Sequence, residues 1–275
     1  MKDFRAFTLA EVLITLGVIG VVAAMTMPTL IKNYQKKTWV TQLQKTYSVF
    51  EQGFQLLLAD EGVSKLSDTP LSPQISGKLG CGKSFGPPLS GWDSSDCSGT
   101  LNVLNKYFKF IGVEEYGTTS KGLMRGSSPI SSSDLMLVLP DGAMIDMAIY
   151  STSNSNYTCS TASCDKIKGL GGNVCSMAGE IIIDVNGRKG PNIYGRDIFY
   201  FKASDEGKLY PDAGKDYAIY IDNNNSNKIY SLEESSRYWR NSTNKCGIPN
   251  GGLTSDASGE GCAARIIENG WKMDY

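Results

Sequence analysis

From Val12 to Met27 every residue is apolar, threonine or glycine. Counted from Phe7 the run is 21 residues long, enough helix to cross a hydrocarbon core of about 30 Å. After Pro28 the pattern changes from uniform to periodic. Val40, Leu43, Tyr47, Phe50, Phe54 and Leu57 recur at spacings of 3, 4, 3, 4 and 3, which is one apolar stripe on an amphipathic helix. Pro28 is a position at which the helix kinks without ending, and Glu61-Gly62 marks its end. The pattern predicts one helix over residues 7–60, about 80 Å long at 1.5 Å per residue. Its first part is apolar all round, and its second part buries a stripe against a folded head. A coiled-coil seam is the alternative reading of that stripe, with few heptads to support it.

Beyond residue 61 the period shortens. Residues 63–100 are rich in Gly, Pro and Ser, and Leu101, Leu104, Phe108 and Ile111 predict a short helix. Residues 135–139 and 143–150, joined by Pro140-Asp141-Gly142, read as a hairpin. Residues 180–185 and 197–201 read as two further strands, with Asn186-Gly187 as a turn signal between them. Phe199, Tyr200 and Phe201 are expected in sheet packing. Residues 151–164 and 222–227 are polar loops, and 263–267 is a short apolar element. The predicted class is α+β: a long N-terminal helix packed on an antiparallel sheet. The organisation is a leader at 1–6, a spine helix at 7–60 with 7–27 as the membrane-spanning part, and a head domain at 61–275.

Composition narrows the chemistry. The net charge of −1 gives no electrostatic case for nucleic acid, which calls for an excess of Lys and Arg. There is no histidine, so Ser-His-Asp and Cys-His pairs, imidazole bases and HExxH zinc sites are excluded. The seven cysteines, at 81, 97, 159, 164, 175, 246 and 262, all follow the apolar run. Lying among Gly, Ser and Asn without CxxC spacing, they suit loop-closing disulfides formed in an oxidising compartment. Cys81 with Cys97, and Cys246 with Cys262, are the candidate pairs. The pairing of Cys159, Cys164 and Cys175 stays open.

One residue in the apolar run is out of place. Glu11 puts a carboxylate near the start of a spanning helix, at a cost on the order of 2–3 kcal/mol unless it is partnered. The stretch Ala6-Phe7-Thr8-Leu9-Ala10-Glu11-Val12-Leu13-Ile14-Thr15-Leu16 resembles the class III signal of type IV pilins and type II secretion pseudopilins. The resemblance covers about residues 1–60. It implies a cut by a prepilin peptidase between Ala6 and Phe7, with Ala6 standing where the family usually has Gly, and N-methylation of Phe7. It implies retention of Glu11 as the assembly residue and a bend at Pro28. Cleavage creates an ammonium on Phe7, and Glu11 of one subunit then pairs with the Phe7 amine of a neighbour. Such a pair sets register more than it adds stability, while Gly17, Gly20, Ala23 and Ala24 permit close helix approach.

The implied function is a structural subunit of a type IV pilus or a type II secretion pseudopilus, and not an enzyme. Its partners are other pilin or pseudopilin subunits, the prepilin peptidase, an inner-membrane assembly platform and the membrane. The expected location is the bacterial inner membrane, single-pass, with the head periplasmic or outside and a filament after assembly. Lys2 and Arg5 favour a cytoplasmic leader, but Lys32, Lys36 and Lys37 follow the span, so charge alone leaves orientation undecided. A cleaved secretory signal ending at Val22-Ala23-Ala24 is one alternative, and a plain single-span anchor is another. The head suggests a second function, a minor pilin acting as an adhesive module, in which Trp92 or Trp239 would be exposed. A hydrolase would use Asp141, Asp146 or Asp184. Around Asp184-Val185-Asn186-Gly187 the oxygens of Asp184, Asn186 and Asp197 are weak Ca²⁺ candidates, set against a turn held by side-chain hydrogen bonds. That segment resembles one found in large pilin-like proteins. No other cofactor or metal is expected.

Overall fold

The computed structural model describes residues 8–71, 104–118, 120–121, 130, 135–149, 177–211, 221–222, 228–229, 246 and 259–275. Helix α1 runs without interruption over Leu9–Glu61, with Pro28 inside it. The chain divides into two units, residues 1–38 and 39–275. In the first unit the helix is exposed along almost its whole length. It holds its polar side chains within itself: the hydroxyls of Thr15 and Thr26 donate to the carbonyls of Val12 and Val22, each at 2.9 Å. These two hydroxyls are thereby paired within an otherwise apolar stretch.

In the second unit the helix buries Val40, Leu43, Thr46, Phe50, Gly53, Phe54, Leu57 and Leu58. The apolar stripe read from the sequence therefore faces the core, with Tyr47 partly buried beside it. A 3-10 turn at Leu66–Asp68 follows. Six strands then form one antiparallel sheet in sequence order: β1 (Gly112–Glu115), β2 (Leu135–Val138), β3 (Met144–Ile149), β4 (Met177–Asp184), β5 (Ile198–Ser204) and β6 (Leu209–Pro211). A separate two-stranded pair joins β7 (Ile221–Asp222) and β8 (Lys228–Ile229), and residues 223–227 of the expected polar loop lie outside the described residues. Helix α2 (Cys262–Glu268) lies near the C-terminus.

Period-two alternation sorts the sheet residues onto two faces. Leu137, Ile145, Ile181, Ile183, Phe199, Phe201 and Ala203 join the α1 stripe in the main core. Ile182, Ile198, Met144, Val138 and Met136 point the other way and pack with Tyr116, Ile130 and Tyr194. Phe199 and Phe201 are thus core residues as expected, while Tyr200 is partly buried on the opposite face. The helix expected around 101–111 covers 104–108 among the described residues and does not reach Ile111. Lys109 turns the chain at φ 53°, and Ile111 is exposed. Phe108 and Phe110, with Phe50 and Phe54, make an aromatic cluster over α1 with ring centroids 4.9 to 6.2 Å apart.

Candidate functional site

The N-terminal end of α1 is built around Thr8 and Glu11. The Thr8 N–H and hydroxyl both donate to Glu11 Oε2, each at 2.8 Å, and the Glu11 N–H donates to Thr8 Oγ1 at 3.3 Å. This reciprocal arrangement is a capping box, in which the residue before the helix and the one three positions on satisfy each other's free donors. Glu11 therefore has partners within its own chain, a feature the reading of the sequence missed. Its signal is the spacing Thr8-x-x-Glu11 ahead of an apolar run. The box holds the carboxylate at the mouth of the helix, where the helix dipole favours negative charge. It leaves Glu11 exposed. Ala6 and Phe7 lie outside the described residues. From Leu9 to Tyr34 the helix exposes large apolar side chains throughout, including Leu13, Ile19, Met25 and Ile31, and it is long and apolar enough to cross a membrane.

The second candidate region is the connection from β4 to β5. Asp184, fully buried at the end of β4, accepts a hydrogen bond from the Tyr116 hydroxyl at 2.6 Å and one from the Asn186 N–H at 3.2 Å. Asp197, also fully buried, accepts from the N–H groups of Asn192 and Ile193 at 2.8 and 2.7 Å. Loss of water pushes the Asp184 carboxyl up to about 8, with the nearby Asp197 charge adding to the shift. Burial raises Asp197 as well. The Asn186 amide bonds the carbonyls of Lys189 and Gly190. Arg188 ties the connection to β1 by donating to the carbonyls of Tyr116 and Glu115 and pairing with Glu114 at 3.0 Å. Gly187, at φ +61°, allows the close approach: a Cβ there would lie 2.5 Å from the Gly142 carbonyl oxygen.

All four carboxylate oxygens of Asp184 and Asp197 accept hydrogen bonds from the protein, while Asn186 Oδ1 is buried without a hydrogen-bond partner. Among the described residues no group of three His, Cys, Asp or Glu side chains is placed to hold a metal ion. Hydrogen bonds within the connection hold the Asp184 and Asp197 carboxylates and the Asn186 amide nitrogen. The hydrolase candidates are engaged differently: exposed Lys45 pairs with Asp141 at 2.7 Å, Asp184 binds Tyr116, and Asp146 is buried in β3.

The C-terminal segment closes over the same connection. Cys246 and Cys262 are disulfide-bonded, 16 residues apart, as their loop-closing pairing predicts. The Tyr275 hydroxyl donates to the Gly195 carbonyl at 2.6 Å, and Trp271 meets Tyr47 of α1 edge-on at 5.6 Å. Cys81, Cys97, Cys159, Cys164, Cys175, Trp92 and Trp239 lie outside the described residues.

The described residues thus give an N-terminal helix long and apolar enough to cross a membrane and an α+β head. Residues 1–27 match the family model described as the prokaryotic N-terminal methylation motif, the signature of type IV pilins and pseudopilins and thus of prepilin peptidase substrates. The motif implies assembly with other pilins, and with the apolar helix it fits anchorage in the inner membrane. No curated protein and no solved structure matches the chain.

Proposed function

We propose that this chain is a structural subunit of a type IV pilus or a type II secretion pseudopilus. It is cut between Ala6 and Phe7, methylated on Phe7 and assembled through its N-terminal helix, with the head on the periplasmic side or outside. The observation that carries this reading is the methylation motif over residues 1–27, placed on a helix that exposes its apolar surface all round. In lipid that surface is solvated by acyl chains. In a filament it is covered by the same surface of neighbouring subunits, with Gly17 and Gly20 offering open positions for close approach.

Glu11 supplies register. Held in its capping box, its carboxylate belongs to a residue close in sequence to Phe7, where cleavage would create an ammonium. An uncapped glutamate would search among rotamers, whereas this one is oriented before a neighbour arrives. The pairing with the Phe7 amine of another subunit then neutralises two charges that are costly in an apolar medium.

Intact-mass analysis and N-terminal sequencing of the protein from its native membrane test the reading. The expected mature chain begins at Phe7 and carries one added methyl group, and Ala6→Trp leaves an uncut precursor. A chain beginning at Met25 would mean that the apolar helix is discarded, and the reading fails.

A further inference from the structure

Between Glu11 and Glu51 helix α1 contains no acidic residue, yet it carries Lys32, Lys36 and Lys37 just beyond the apolar run. Lys32 and Lys36 are four residues apart and share one helix face. Among the described residues, neither makes an ion pair or a hydrogen bond. We infer that Lys32 and Lys36 form a docking surface for the phosphodiester headgroups of anionic phospholipids in the leaflet facing the head domain. The inference rests on the membrane-spanning reading of residues 7–27.

Depth along the helix selects this occupant. With Met27 at the edge of the hydrocarbon, Lys32 lies about 7.5 Å and Lys36 about 13.5 Å further along the axis. The headgroup layer adds roughly 5–7 Å on each side of the core. Helical side chains tilt toward the N-terminus, and the lysine stem lets the ammonium reach back along that direction. The Lys32 ammonium therefore falls at the level of the phosphates and that of Lys36 at their outer rim. Tyr34, exposed between them in sequence, has the amphipathic ring suited to the same layer. A zwitterionic lipid offers each ammonium a phosphate that already carries its own cation. An anionic lipid offers net negative charge, which favours it by roughly fivefold per lysine and on the order of 25-fold for two. The placement also explains how a helix keeps basic residues on the side where the charge rule disfavours them: the headgroups there neutralise them.

The test uses the full chain reconstituted into vesicles of phosphatidylethanolamine with a minor fraction of phosphatidylglycerol. Carbonate extraction first establishes insertion, and the lipid retained after mild solubilisation is then measured by mass spectrometry. The expected result is strong enrichment of phosphatidylglycerol over its bulk fraction. K32Q/K36Q should lose most of that enrichment while remaining inserted, and K32R/K36R should keep it. Added inorganic phosphate at matched ionic strength should not displace the lipid. An inserted protein that retains lipid in the bulk ratio overturns the inference alone, as does undiminished enrichment in K32Q/K36Q. Displacement by free phosphate would assign the lysines to soluble anions instead. Failure of the wild-type chain to insert would overturn the membrane reading itself.

Discussion

Gly53 offers a sharp test of how the helix meets the head. By helix propensity alone, Gly53→Ala should stabilise α1 by about 1 kcal/mol. The packing predicts the opposite sign. A Cβ at Gly53 would stand 2.2 Å from Phe108 Cε1 and 2.7 Å from Cδ1, whereas carbon atoms rest at about 3.5–4.0 Å. The Phe108 ring would have to retreat by about 1 Å or more. It has little room to do so, because it stacks on Phe50 at 4.9 Å and meets Phe54 edge-on at 5.3 Å and Phe110 at 5.9 Å. Overpacking of this kind costs about 1–3 kcal/mol, and the rigid aromatic neighbours place Gly53 toward the upper end. After the gain in propensity, a net loss of about 1–2 kcal/mol remains. For a unit of this size that lowers the melting temperature by roughly 2–8 °C. The assay is thermal unfolding of the full chain in detergent, followed by tryptophan fluorescence with disulfides intact. The double variant Gly53→Ala with Phe108→Leu should recover part of the loss, since the smaller side chain vacates the ring edge. A melting temperature for Gly53→Ala equal to or above wild type would refute the packing account.

Three further outcomes follow from the same structure. Glu11→Gln retains an oxygen that can accept from Thr8, so the helix start and membrane insertion should persist, while filament incorporation should fall for Glu11→Gln and for Glu11→Val alike; normal incorporation of both in a pilus or secretion assay would remove charge pairing from the mechanism. The folded Asp184 carboxyl at about 8 stands above its ordinary value of 3.8, so the native state holds a proton that the unfolded chain has released. Stability attributable to this group should therefore fall as pH rises from about 4 to about 8 and level off above that, and denaturant titrations across pH should show a flatter profile for Asp184→Asn. Removing the Cys246–Cys262 bond, which closes a loop of sequence separation 16, should cost about 3 kcal/mol in the chain-entropy account, seen as a lower denaturation midpoint for the double Cys→Ser variant.

Much of the architecture was readable from local pattern, because the patterns involved are local. The stripe from Val40 to Leu57 has helical spacing and faces the core. The hairpin around Pro140-Asp141-Gly142 and the strands before and after Asn186-Gly187 lie where turn chemistry and alternation put them. The capping box was also legible, since Thr8 and Glu11 are three residues apart.

Other features had no sequence signature. Gly53 looks like a flaw in a helix until Phe108, 55 positions on, is seen where its side chain would be. The Asp184-to-Asp197 segment offers oxygens in a pattern that also suits a cation. Only the fold shows Tyr116 arriving from 68 residues away to occupy one of them, and Arg188 reaching back to β1. The sequence by itself marked the long helix, the four strands from β2 to β5 and the stretch apolar enough to cross a membrane. These depend on periodicity and on residues adjacent in the chain. The tertiary structure decided which buried polar groups find partners and which small residues are obligatory. Those outcomes depend on contacts between distant segments, whose geometry no local pattern encodes.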